Sequence, residues 1–247
     1  MTERDATVRP DRRAELAAGL GRVRARIADA CAAAGRDRSA VTMIAVTKTY
    51  PAGDVIALAG LGVTDVGENR DQEAAGKAAE VAAAGLRPRW HFIGQLQRNK
   101  CRSVVRYADV VHSVDSVRLA GALATAAAAR DRPVEALAQV SIDGDPARGG
   151  ALPGSADPDR GLGPVTGALA AAEGLRFAGL MAVAPLGWEP ERAFARLAEV
   201  AAAVRADHPA ATALSAGMSG DLEIAIRYGA THVRVGSALL GMRPTLG

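Results

Sequence analysis

Lysine is almost missing from this chain of 247 residues. Lysine and arginine together number 30, yet only Lys48, Lys77 and Lys100 are lysines, which leaves 27 arginines. A guanidinium stays protonated and does not act as an amine nucleophile. Any amine chemistry therefore falls to three positions. Cysteine is scarce as well. Cys31 and Cys101 make no disulfide framework and fit a reducing compartment, so a cytoplasmic location is expected. No run of about 18 uncharged apolar residues occurs. The Ala-rich stretch 14–34 is interrupted by Arg22, Arg24, Arg26 and Asp29, so neither a membrane span nor a signal peptide is expected.

Aromatics are few: two Trp, three Tyr and three Phe, too little for a platform that stacks RNA bases. The net charge of +3 is small for the length and the arginines are scattered among acids, which argues against nucleic acid as a partner. Four scattered histidines and two distant cysteines show no metal-ligand spacing. Phosphate-loop, nucleophile-elbow and zincin motifs do not occur.

What is present is a rhythm. A hydrophobic share of 49% is ample for a core. Leu16, Leu20, Val23 and Ile27 recur at helical spacing and predict a helix over 11–34, with Gly35 as its stop. Short apolar runs then alternate with Ala-rich helical stretches. The runs lie at 41–46, 63–66, 89–93, 109–112, 134–142, 176–183, 212–215 and 231–235, and the helices near 52–61, 70–84, 95–106, 116–130, 164–173, 189–206 and 219–228. Such alternation predicts a parallel sheet with helical crossovers. Eight repeats in this length favour one α/β domain over 1–247, a closed (β/α)8 TIM barrel, over an open sheet. The stretch 143–164 is dense in Gly, Pro and Asp and reads as a flexible loop, either a lid or a surface insertion.

In such a barrel, functional residues collect where strands end. Lys48 follows the first strand, where a charged ammonium is costly to bury and its pKa can fall, exposing a nucleophilic amine. The other reading is a lysine reaching to solvent. Lys77 and Lys100 fall among polar neighbours in helical stretches and read as solvated. After the seventh and eighth strands, Ser215, Ser219, Gly236 and Ser237 outline a cup for phosphate. Alternatively, Ser219 only caps a helix, and Asp221 and Glu223 count against an anion there. Val233 and Val235 fit packing against helices, which turns Arg234 into the barrel, where it needs an acceptor. Glu68 and Asn69 could hydrogen-bond a ligand or merely form a turn, and His91 reads as a packed histidine.

The stretches AVTKTYP, VGENRDQE, WHFIGQLQRNK, HSVDS, GLMAVAP and LSAGMSGDLEIAIRYGATHVRVGSALLG resemble the YggS/PROSC family of pyridoxal phosphate homeostasis proteins, in order from about residue 41 to 241. The resemblance implies a fold like the alanine racemase N-terminal domain and the cofactor pyridoxal 5'-phosphate (PLP), held by Lys48 as an internal aldimine. It implies Ser219, Gly236 and Ser237 at the phosphate, Arg234 on the cofactor, Ser215 and Met218 lining the site, and Asn69 near the ring. It further implies a monomeric carrier without established turnover that buffers PLP and delivers it to PLP-dependent apoenzymes. Thr47, Tyr50 and Gly220 depart from the commonest family pattern. The competing function is a PLP-dependent amino-acid racemase, which needs acid/base groups on two faces. The related racemases draw the second, a tyrosine, from another domain. The chain ends soon after the eighth strand, so no such domain is expected.

Overall fold

A computed structural model of the chain describes residues 10–241. Eight parallel strands close into a barrel in chain order. They are β1 (Thr42–Val46), β2 (Asp65–Glu68), β3 (Arg89–Phe92), β4 (Val110–Val114), β5 (Val134–Gln139), β6 (Leu175–Met181), β7 (Ala213–Ser215) and β8 (His232–Val235). β8 returns to β1, with Thr42 opposite His232 and Ala45 opposite Val235. The helices are α1 (Pro10–Ala33), α2 (Ala52–Ala59), α3 (Asp71–Ala83), α4 (Cys101–Val104), α5 (Val117–Ala127), α6 (Leu162–Ala171), α7 (Pro190–Asp207), α8 (Leu222–Arg227) and α9 (Ser237–Leu240). None of the described helices is long and apolar enough to cross a membrane.

The strands are short apolar runs because each is covered on both faces. Outward residues such as Val111, Ala136, Ala138 and Leu180 pack with Leu119, Leu123, Leu169 and Leu197 of the helices. A second layer joins Ala45, Val66, Val233 and Val235 to Leu16, Leu20, Val23 and Ile27 of α1. Burying each of those large side chains contributes roughly 1.5–3 kcal/mol. Gly19 of α1 lets α9 approach, since a Cβ there would stand 2.3 Å from the Leu239 carbonyl oxygen. Arg36 donates to the carbonyls of Ile226 and Ala230 at the end of α8, at 2.6 and 2.8 Å.

Several boundaries differ from the expected ones for physical reasons. β2 runs over 65–68 rather than 63–66, because Gly67 and Glu68 belong to it and the Glu68 carboxylate finds partners. The helix expected near 95–106 is a 3-10 turn, Arg98–Lys100, followed by four residues of α4. Gln95, Gln97, Arg98 and Asn99 give it no apolar face to bury. The stretch read as a flexible loop over 143–164 is organised by short-range bonds. Asp143 pairs with Arg148 at 2.6 Å, Asp157 accepts from the Asp159 and Arg160 amides, and Leu152 bridges to Gly161. Its last residues, from Leu162, already belong to α6.

The barrel also carries a bulge. Ala136 pairs with Phe177 but Leu137 pairs with Gly179, so Ala178 is the extra residue. Gly179 has φ +149°, and a Cβ on it would lie 1.9 Å from the Ala213 carbonyl oxygen of β7. Gly179→Ala is therefore expected to destabilise the fold by about 3 kcal/mol or more. Urea denaturation checks this; an unchanged midpoint would contradict the account.

Candidate functional site

The segment that presents Lys48 is pinned from behind. The ammonium of Lys77, on α3, sits between helix and sheet with a side chain only 4% exposed. It donates to Glu68 Oε1 at 2.5 Å, to the Thr47 carbonyl at 2.8 Å and to Glu73 Oε1 at 3.2 Å. The Thr47 hydroxyl also donates to Glu68 Oε1, at 2.7 Å, and the Thr49 amide donates to Glu73. Burial pushes the Glu68 carboxyl above the usual carboxylate range, against the opposing pull of Lys77 and Thr47. Thr49 has φ +73°, a region β-branched residues avoid and hold only where surroundings dictate it. The turn thus bends sharply just after Lys48 and leaves Lys48 exposed.

Lys48 is therefore not in the desolvated position its strand suggested. Among the described residues its amine has no hydrogen-bond or ion-pair partner. Lys77, expected on a solvated face, is the buried one. Its nine-residue spacing from Glu68 means nothing in the sequence until α3 folds back on β2. That network is the main feature sequence reasoning missed.

The ends of β7 and β8 meet beside this turn. Gly236 lies against Val46, with a built Cβ 3.5 Å from the Val46 carbonyl oxygen. The Ala238 amide donates to the Ser219 hydroxyl at 3.3 Å, joining the two expected phosphate loops. Ser237 is exposed and Met218 is 41% exposed. The two acids that counted against an anion are engaged: Asp221 accepts from the Met218 amide at 2.6 Å, and Glu223 accepts from Arg26 at 2.6 and 2.9 Å. Asn69, after β2, has a buried side-chain oxygen with no protein partner.

Below the mouth, Arg234 points into the barrel and is 5% exposed. It donates to the Ser215 hydroxyl at 2.8 Å and to the Ala182 carbonyl at 2.9 Å. No carboxylate pairs with it among the described residues, and burial lowers its pKa to about 10, opposed by Asp221. Ser215 is fully buried and also meets His112 Nδ1 at 3.0 Å. His112 contacts His91, and His91 contacts Asp65. His91 is packed, as read, but within a polar chain that the sequence did not reveal.

Chemically, this end of the barrel offers a free primary amine, a buried cation without a counter-ion and an orphaned amide oxygen. A polarised anionic ligand bearing an electrophile fits that set. A groove elsewhere on the described surface, lined by Trp90, Tyr107, Arg87, Arg106 and Arg132, holds none of these groups.

Residues 20–244 match the family described as alanine racemase, N-terminal domain. The pyridoxal phosphate homeostasis protein of Mycobacterium tuberculosis is 45% identical, over 97% of each chain. A crystal structure of an unknown protein from Bifidobacterium adolescentis is 32% identical with a TM-score of 0.84, covering 95% of this chain and 98% of that one. PipY of Synechococcus elongatus, solved with PLP bound, is 31% identical with a TM-score of 0.74, covering 92% of this chain and all (100%) of that one.

Two outcomes are expected. Lys77→Met leaves Glu68 buried without its cation and costs about 3 kcal/mol in urea unfolding; wild-type stability in that variant would remove the network from the account. Second, burial, with the nearby charge of Arg89, lowers the His232 pKa to about 4 despite Asp65 and Glu135. The unfolded histidine binds a proton below about 6.5. Folding stability from this group is thus complete above that pH and is lost as pH falls toward 4, by about 3 kcal/mol. Unfolding midpoints across that window should fall, and fall less steeply in His232→Gln; parallel slopes would refute it.

Proposed function

The chain belongs to the pyridoxal phosphate homeostasis proteins, within the alanine racemase N-terminal domain family, and from that premise we propose that it binds PLP at the C-terminal mouth of its barrel and serves PLP homeostasis. The observation that carries the reading is the exposed amine of Lys48, without a partner among the described residues, beside the joined loops of Ser219 and Gly236. PLP supplies an aldehyde that condenses reversibly with a primary amine.

Lys48 provides that amine, and the turn held by Lys77 and Glu73 orients it. Ser219, Gly236 and Ser237 bind the phosphate. Arg234, buried without a carboxylate, offers its remaining N–H donors to the cofactor from below. Asn69 directs its unpartnered oxygen to the ring side, Met218 shields one edge, and Ser215 acts through Arg234. An open mouth suits a carrier, because release needs water or another amine to reach the bond. The same reading has the chain act in the cytoplasm as a monomer, with PLP-dependent apoenzymes as recipients.

A racemase reading needs a second acid/base group at the mouth. Tyr50, the tyrosine closest in sequence to Lys48, donates its hydroxyl to the Gly241 carbonyl at 2.8 Å beneath the Arg12 guanidinium. That engagement favours the carrier.

Lys48→Ala is expected to abolish the visible absorption of lysine-bound PLP while leaving the far-ultraviolet circular dichroism unchanged, since the exposed Lys48 side chain holds no other described residue. Lys100→Ala is expected to keep the band. An equal band in Lys48→Ala and wild type would sink the assignment.

A further inference from the structure

A continuous hydrogen-bonded chain crosses the inside of the barrel. Its members come from five strands: Asp65 on β2, His91 on β3, His112 on β4, Ser215 on β7 and Arg234 on β8. Asp65 Oδ1 lies 2.9 Å from His91 Nε2, and His91 Nδ1 lies 2.8 Å from His112 Nε2. His112 Nδ1 lies 3.0 Å from Ser215 Oγ, which is 2.8 Å from Arg234 Nη1. All five residues are buried. The lower end is a carboxylate and the upper end is the guanidinium beneath the mouth.

The donor at each link follows from the ends. Burial would raise the Asp65 carboxyl, but its hydrogen bonds with His91 and Thr64 lead the opposing effects that hold it below the usual range. An ionised carboxylate only accepts, so His91 Nε2 carries the hydrogen. A neutral His91 then has a bare Nδ1 and accepts from His112 Nε2. A neutral His112 has a bare Nδ1 and accepts the Ser215 hydroxyl proton. Ser215 Oγ in turn accepts from Arg234. Reversing the chain would require a doubly protonated His91, a further cation in a site that already feels Arg89 and Arg234. Like charge in a buried site disfavours that.

We propose that Asp65, acting through His91 and His112, locks the Ser215 hydroxyl inward, so that Ser215 only accepts from Arg234 and holds the guanidinium in place for the ligand. Asp65, His91 and His112 are thereby positioning residues, although Asp65 and His112 do not touch one another. The inference rests on PLP binding over Arg234. It adds what fixes that cation, which has no carboxylate of its own.

The test reads histidine tautomers in the full chain without cofactor, by long-range proton–nitrogen NMR on histidine-labelled protein. His91 and His112 are both expected as neutral Nε2–H tautomers in the wild type. A protonated Nδ1 at either position overturns the proposal. Asp65→Asn replaces the obligate acceptor by a group that can also donate, so the Nδ1–H form is expected to appear at both histidines together. A His112 signal that stays unchanged in this variant overturns the coupling. PLP titration of the same variant is expected to show a dissociation constant raised about tenfold, the scale of one hydrogen bond to a charged group; an unchanged constant overturns the link to the ligand. Failure of the wild type to bind PLP would refute the functional reading instead, and is told apart because the tautomers are read without cofactor.

Discussion

One ammonium, sealed between α3 and the sheet, sets the geometry of the candidate site. Lys77 draws together Glu68 from β2, the Thr47 carbonyl from the end of β1 and Glu73 from its own helix. Each partner is a group that would be costly to bury alone. A buried ion pair of this kind is a poor source of net stability, because desolvation offsets much of the attraction. What it supplies is position. The Thr47 and Thr49 backbone groups on either side of Lys48 are both tied into it, so the turn that presents the free amine is braced by the amine that is not free.

The barrel interior extends the same logic. Many barrels fill this space with layers of branched apolar side chains. Here an apolar cluster of Val110, Leu137, Ala178 and Met181 shares the interior with Asp65, His91, His112, Ser215 and Arg234. Burial drives His112 toward its neutral form, which lets an imidazole serve as both donor and acceptor within one chain. A guanidinium can then be kept under the mouth with neutral partners alone. Its charge is held in low dielectric and is not cancelled by a neighbouring carboxylate, which strengthens its pull on an incoming acceptor.

Much of this was legible in the residues. The alternation of apolar runs and Ala-rich stretches pointed to a closed eight-fold barrel, and the strand order bears it out. The parity of Val233, Arg234 and Val235 pointed Arg234 inward, where it lies. Position and the rarity of lysine singled out Lys48, which is the exposed lysine. The Lys77 network did not show, because its members are spread over 47–77 and meet only through the crossover of α3. A buried lysine and an exposed one have the same local sequence character, both flanked by small or polar residues. The histidine chain was hidden for a related reason. Its contacts run across the barrel between strands as distant as β4 and β7.

The partition of basic residues gains a physical meaning from these contacts. Arginines do the structural work at carbonyl groups: Arg36 on α8, Arg24 on the Leu61 and Gly62 carbonyls, Arg130 on those of Val105 and Ala108. Their planar, multiply donating heads suit such sites better than an ammonium does. Of the three lysines, Lys77 is buried in ion pairs and Lys100 is half-buried. Lys48 alone is exposed. For the proposed capture of an aldehyde, a surface of arginines offers few rival amines, so selectivity among amines would begin with composition and be completed by the turn that displays Lys48.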